Sequence, residues 1–126
     1  MRMTSFDTIN FVVEEAKKEF ADKYEFCERD YEILKKCCVL FDYLLKDVDI
    51  ISYESEINEF EKTTALTAEC QPTLNYVWLT DPKLLSVFQR LMLNTKSLKF
   101  EQKEDEIIRM TITFPSLWHI KTDSPK

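Results

Sequence analysis

At 126 residues with 44% hydrophobic content, the chain is long enough to bury one ordinary core without support from a metal or a disulfide. Its formal charge of -6 at pH 7 argues against direct nucleic-acid binding, which draws on clustered Lys and Arg, and no basic run here exceeds Lys17-Lys18 or Lys35-Lys36. The chain contains no glycine, which excludes a phosphate-cradling P-loop, a dinucleotide fingerprint and a nucleophile elbow, since each needs glycine at a close backbone approach or a positive φ.

Without glycine, helix ends and hairpin turns must use Asn, Asp, Lys or longer loops. The longest apolar run, Cys37 to Phe41, is far short of the roughly 20 residues of a membrane helix. The start, MRMTSFDTIN, has no apolar segment of signal-peptide length. The expected setting is the cytoplasm, with the four cysteines (27, 37, 38 and 70) as reduced thiols, since they lack the spacing of a disulfide framework.

In chain order, Ile9, Val12, Val13, Ala16, Phe20 and Tyr24 recur at helical spacing and predict a first helix from about Asp7 to Tyr24, with Thr4 or Ser5 as cap. Phe11 falls on the opposite face. Ile33, Leu34, Cys37, Cys38, Phe41, Leu44, Leu45 and Val48 predict a second helix from about Asp30 to Asp47. Within it, at about 100° per residue, Cys37 and Cys38 lie roughly 40° and 60° to either side of Phe41, so both belong to the apolar arc. Free cysteine behaves as a small hydrophobe, and the adjacent pair reads as core. Val39 and Tyr43, one turn apart, fall on the charged side.

From Ile50 the period changes to two. Ile51, Tyr53, Ser55 and Ile57 alternate with Ser52, Glu54 and Glu56, and Leu66, Ala68 and Cys70 alternate with Thr67 and Glu69. Two strands broken near Glu59 to Lys62 fit this pattern, and a short helix over Glu56 to Thr64 competes with it. The run QPTLNYVWL reads as a loop or short strand. Asp81-Pro82 opens a third helix with the stripe Leu84, Leu85, Phe88, Leu91 and Met92, ending near Asn94. Leu98 and Phe100, a turn at Glu104 to Glu106, and Ile108, Met110, Ile112 and Phe114 then predict a hairpin.

The order α-α-β-β-α-β-β predicts a single α+β domain, a two-layer sandwich whose antiparallel sheet carries helices on one face, with the last six or so residues as a flexible tail. The open face should display Ser52, Glu54, Glu56, Thr67, Glu69, Lys99, Glu101, Arg109, Thr111 and Thr113.

Chemistry is thinly represented. One histidine, His119, sits in the stretch SLWHI and reads as an ordinary side chain near the end of the domain. There is no CxxC and no second histidine for a zinc site, and only Cys27, between two helices, is expected to be exposed. No catalytic residue, metal or cofactor is therefore assigned. The expected function is a small acidic protein-binding or regulatory module of the adaptor, immunity or inhibitor type, with a protein partner or a second copy docking on Phe11, Val39, Tyr43, Glu54 and Glu56. One alternative is an acidic DNA mimic that blocks a nucleic-acid-binding protein. Another is a small enzyme or ligand-binding domain that uses carboxylates or a pocket near Trp78 and Trp118. Direct DNA binding is not expected: a gel shift at about 50 mM salt, where non-specific binding is strongest, should show free DNA only, and a retarded band would overturn the reading of the charge.

Overall fold

The computed structural model describes residues 4–46, 48–71, 81–104 and 107–121. Helix α1 spans Ser5–Phe20 and starts on a capping box, in which the Thr4 hydroxyl accepts from the Asp7 N–H and the Asp7 carboxylate accepts from the Thr4 N–H. It stops four residues before Tyr24, because Tyr24–Phe26 forms a short strand, β1. Helix α2 spans Glu28–Leu44. Strands β2 (Asp49–Ile57) and β3 (Thr64–Gln71) follow, then helix α3 (Pro82–Asn94), then β4 (Ser97–Glu104), β5 (Ile107–Phe114) and a short β6 (Trp118–Ile120). The fold is α+β. A four-stranded antiparallel sheet has the order β2-β3-β5-β4, and β1 pairs with β6 in a separate two-stranded ribbon.

The segment from 56 to 64 is the end of a strand, a turn and the start of the next strand, and the competing helix does not form. The turn is built as a glycine-free chain requires. The Asn58 side-chain oxygen accepts from the N–H groups of Phe60 and Glu61, and Lys62 takes the left-handed conformation at φ 59. The third helix begins with the Asp81 carboxylate accepting from the Lys83 N–H and with Pro82 at the first position, as the sequence predicts. The run QPTLNYVWL, apart from Gln71 at the end of β3, lies outside the described residues. So does the expected tail beyond Lys121, whose N–H donates to the Lys23 carbonyl.

Three expectations are corrected. Ile51 leaves the apolar phase of β2 because the register shifts between Ile50, opposite Cys70, and Ser52, opposite Glu69. The extra residue of this bulge is 52% exposed, and Ile50 packs against the core in its place. In α3 the buried strip is narrow: Leu84 and Leu91 are buried, Val87 and Phe88 pack against the core, and Met92 turns outward beside the strip. The sequence reading also has no counterpart for β1 and β6. Strands of three residues are too short to show a period, and the pairing of residue 24 with residue 120 is entirely long-range.

The core lies between the helices and one face of the sheet. Leu66, Ala68 and Cys70 of β3 and Met110, Ile112 and Phe114 of β5 meet Ile9, Val13, Leu34, Cys38, Phe41 and Leu44 from α1 and α2. Few polar groups enter it, and among the described residues the Thr64 Oγ1 and Trp118 Nε1 atoms are buried without a hydrogen-bond partner. Ser5 is buried and donates its hydroxyl to the Cys38 carbonyl, while the Asp42 carboxylate accepts from the Ser5 N–H and the Tyr53 hydroxyl, joining α1, α2 and β2. A row of rings runs from Trp118 through Phe26 and Tyr31 to Phe6, with centroids 5.3 to 5.8 Å apart, and links the ribbon to both N-terminal helices.

Cys37, Cys38 and Cys70 are buried, as the apolar arcs predict. Burial raises all three thiols, and it pushes Cys38 from the ordinary value near 9 up to about 12 against the opposing hydrogen bond of Ser5. Burial, followed by the Glu14 carboxylate, likewise lifts the Tyr31 hydroxyl from 10 to about 12. Above pH 9 the unfolded chain therefore releases protons that the folded chain keeps. Stability should be intact with respect to these groups below pH 9 and fall as pH rises from 9 towards about 12, as read by denaturant midpoints across that range. Timed labelling at neutral pH should find Cys27 reactive and the other three protected, and equal rates for all four would show that the core assignment is wrong.

Candidate functional site

The open face of the sheet carries three cross-strand rows read directly from the register: Ser52-Glu69-Arg109-Glu101, Glu54-Thr67-Thr111-Lys99 and Glu56-Ala65-Thr113-Ser97. Neighbours within a row have side chains on the same face, so opposite charges meet. The Arg109 Nε and Nη2 groups both donate to Glu69 Oε2, at 3.1 and 2.9 Å, and between two rows, along β4, Lys99 lies 3.7 Å from Glu101. Thr67 and Thr111 join hydroxyls across β3 and β5 at 3.2 Å. Two of the acidic groups on this face are thus matched by cations. Glu54 and Glu56, on edge strand β2, make no ion pair among the described residues.

Helix α1 runs beside β2, and between them opens a cleft of roughly 710 Å³. One wall is the side of α1 bearing Asp7, Phe11 and Val12, and the other is Glu54 and Glu56 of β2 with Ala65 and Thr67 of β3. Phe11 is 74% exposed at its mouth. The helical period that puts Ile9, Val13 and Ala16 into the core leaves Phe11 on the far side, and the two-residue period of β2 aims both glutamates outward. The cleft sets an apolar wall beside three carboxylates, and among the described residues no Lys or Arg lines it.

Three of the five positions singled out in the sequence, Phe11, Glu54 and Glu56, therefore converge. Val39 and Tyr43 do not join them. Val39 is 68% exposed on the outer side of α2, while Tyr43 is half-buried against the core, with the Lys46 ammonium 4.4 Å from its ring centre. The helical wheel assigns the face of Val39 correctly and that of Tyr43 incorrectly, because an aromatic ring in the last turn of a helix can lie back over the core. In the segment from Ser116 to Ile120, the Trp118 ring lies against Phe20 and Phe26. Leu117 is buried and Trp118 is 4% exposed, edge-on to Phe20 at 5.1 Å. A pocket between Trp118 and Trp78 has no support from the former, which is core; Trp78 lies outside the described residues.

A second constellation was not evident in the sequence. Cys27, Asp30 and His119 bring a thiol sulfur, a carboxylate oxygen and an imidazole nitrogen within 4.8 Å of one another. The short ribbon of β1 and β6 carries residue 119 to residue 25, and no spacing along the chain signals it. This chain matches no family model, no curated protein and no solved structure, so function has to be read from the chemistry of its surface. For the two α2 positions, Val39→Asp should leave the denaturation midpoint within about 0.5 kcal/mol of the parent, while Tyr43→Asp should cost on the order of 1–3 kcal/mol. Equal effects from the two substitutions would contradict the placement of Tyr43.

Proposed function

We propose that the protein is a protein-binding or regulatory module, of the adaptor, immunity or inhibitor kind, that works through its surface in the cytoplasm and holds a basic, extended segment of a partner in the cleft between α1 and β2. The observation that carries this reading is the joining of an apolar wall, Phe11 and Val12, to the carboxylates of Asp7, Glu54 and Glu56, with no lining cation among the described residues. Residues two apart on a strand stand about 6.6–7 Å apart, so Glu54 and Glu56 match Lys or Arg at alternate positions of an extended chain. An aliphatic or aromatic side chain between them would cover Phe11. The sequence-wide excess of carboxylates would steer such a segment inward.

DNA mimicry gains nothing from this geometry. It needs an array of unpaired carboxylates, and Arg109 and Lys99 offset Glu69 and Glu101 on the same face. No helix among the described residues is long and apolar enough to cross a membrane.

A short synthetic peptide alternating Lys with Leu is a suitable probe, followed by fluorescence anisotropy at low and high salt. Binding should weaken as salt rises, because those carboxylates are exposed. The charge reversal Glu54→Lys with Glu56→Lys should reduce affinity by tenfold or more, which corresponds to about 1.4 kcal/mol, and Phe11→Ala should lose a similar amount with an unchanged melting temperature. If the peptide fails to bind the parent, or binds the reversed variant equally well, the cleft is not a site for basic segments.

A further inference from the structure

The cluster at Cys27 is independent of the cleft and is assembled by three local rules. Cys27 is the residue that caps α2, with extended backbone at φ -94 and ψ 99, yet its side chain makes no capping bond. Ser, Thr, Asp or Asn is the usual choice there, because their oxygens accept from the first free N–H groups. The Cys27 backbone is fully used, its N–H donating to the Leu117 carbonyl at 2.7 Å and its carbonyl accepting from Tyr31, so the sulfur alone is left over. Asp30 stands three residues on, the spacing at which a first-turn side chain folds back over the cap. His119 arrives from β6, where it is the direct partner of Glu25. Direct partners share a face of the ribbon, and Cys27, two residues beyond Glu25, continues that face.

We propose that Cys27, Asp30 and His119 form a Zn²⁺ site, with water in the fourth position. In a tetrahedral site the bond lengths of about 2.3 Å to sulfur and about 2.0–2.2 Å to nitrogen and oxygen place the ligand atoms roughly 3.3–3.6 Å apart. The Asp30 Oδ2 to His119 Nε2 distance is 3.7 Å, and all three ligand atoms lie within 4.8 Å. Small rotations of the three side chains supply the remaining contraction. The donor set of one sulfur, one nitrogen and one oxygen suits a borderline ion such as Zn²⁺, whereas Mg²⁺ and Ca²⁺ prefer oxygen throughout. On binding, the Cys27 thiol gives its proton to solvent. The thiolate and the Asp30 carboxylate then balance both charges of the ion, which leaves a neutral cluster at the helix N-terminus, where a net positive charge would be repelled. The imidazole and carboxylate are both solvent-accessible, so water can complete the coordination. The ion would pin α2 to the last described strand.

Titration of the reduced, metal-free full chain with Co²⁺, followed by absorption spectroscopy, tests this directly. One equivalent should produce the charge-transfer band of a Co²⁺–thiolate bond together with tetrahedral d–d bands, and Zn²⁺ should displace both. Cys27→Ser should abolish the charge-transfer band. His119→Ala and Asp30→Asn, both at accessible side chains, should each weaken binding by more than the roughly 10–100-fold typical of losing an outer-shell partner, with circular dichroism unchanged. Zn²⁺ should also protect Cys27 from thiol labelling in the parent and not in His119→Ala. No thiolate band with folded parent protein, or a band that survives in Cys27→Ser or in both other variants, would overturn the site. None of these readouts depends on peptide binding in the cleft.

Discussion

The pairing of β3 with β5 is the contact on which the rest of the molecule depends. Each strand belongs to a different hairpin, and their register from Thr64 opposite Phe114 to Cys70 opposite Ile108 fuses two hairpins into one sheet across the intervening helix α3. The alternation of both strands is in phase, so Leu66, Ala68, Met110, Ile112 and Phe114 all turn to one side and are fully or almost fully buried. A shift by a single residue would send that whole set to solvent and bring Thr67, Glu69, Arg109 and Thr111 into the core. The apolar face then gives α1 and α2 a surface to cover, and the polar face with its matched rows of charge follows from the same register.

From this pairing the two sites inherit different kinds of precision. The cleft is the seam between an edge strand and the helix beside it, so its chemistry is set by which residues the two periods turn outward. The Cys27 cluster depends on a much smaller element, three residue pairs of β1 and β6, held in place by Trp118 between Phe20 and Phe26. One site is carried by the main core and the other by an aromatic annex to it.

That difference explains what could be read from the sequence. Long segments with a clear period were legible: α2 with its buried cysteine pair, the Asp81-Pro82 start of α3 and the hairpin of β4 and β5 need only local rules. The acidic wall of the cleft was legible for the same reason, since alternation along β2 fixes where Glu54 and Glu56 point. Phe11 could be placed on an outer face, but its meeting with the glutamates depended on how α1 packs, which no period encodes. Tyr43 was misplaced because a ring reaches farther than its backbone angle suggests, and Ile51 because a bulge inserts one residue without a signature in composition. The meeting of Cys27 with His119 has no signature in the sequence, because spacing rules detect ligands close together in the chain, whereas this pair is about ninety residues apart and meets only through the ribbon.

The ribbon also bears on how the chain can be made. During synthesis from the N-terminus, Phe20 and Phe26 emerge first, and Trp118, the ring that covers both, follows more than ninety residues later. Until then both rings lack the indole, and α1 and α2 can associate through Ile9, Val13 and Cys38 but cannot finish their shared end. Closing a loop of about ninety residues costs more entropy than closing any hairpin in the sheet, so the ribbon belongs with the late events of folding. An exposed pair of phenylalanines on a nascent chain is a binding site for chaperones and a hazard for association, and both end when β6 docks.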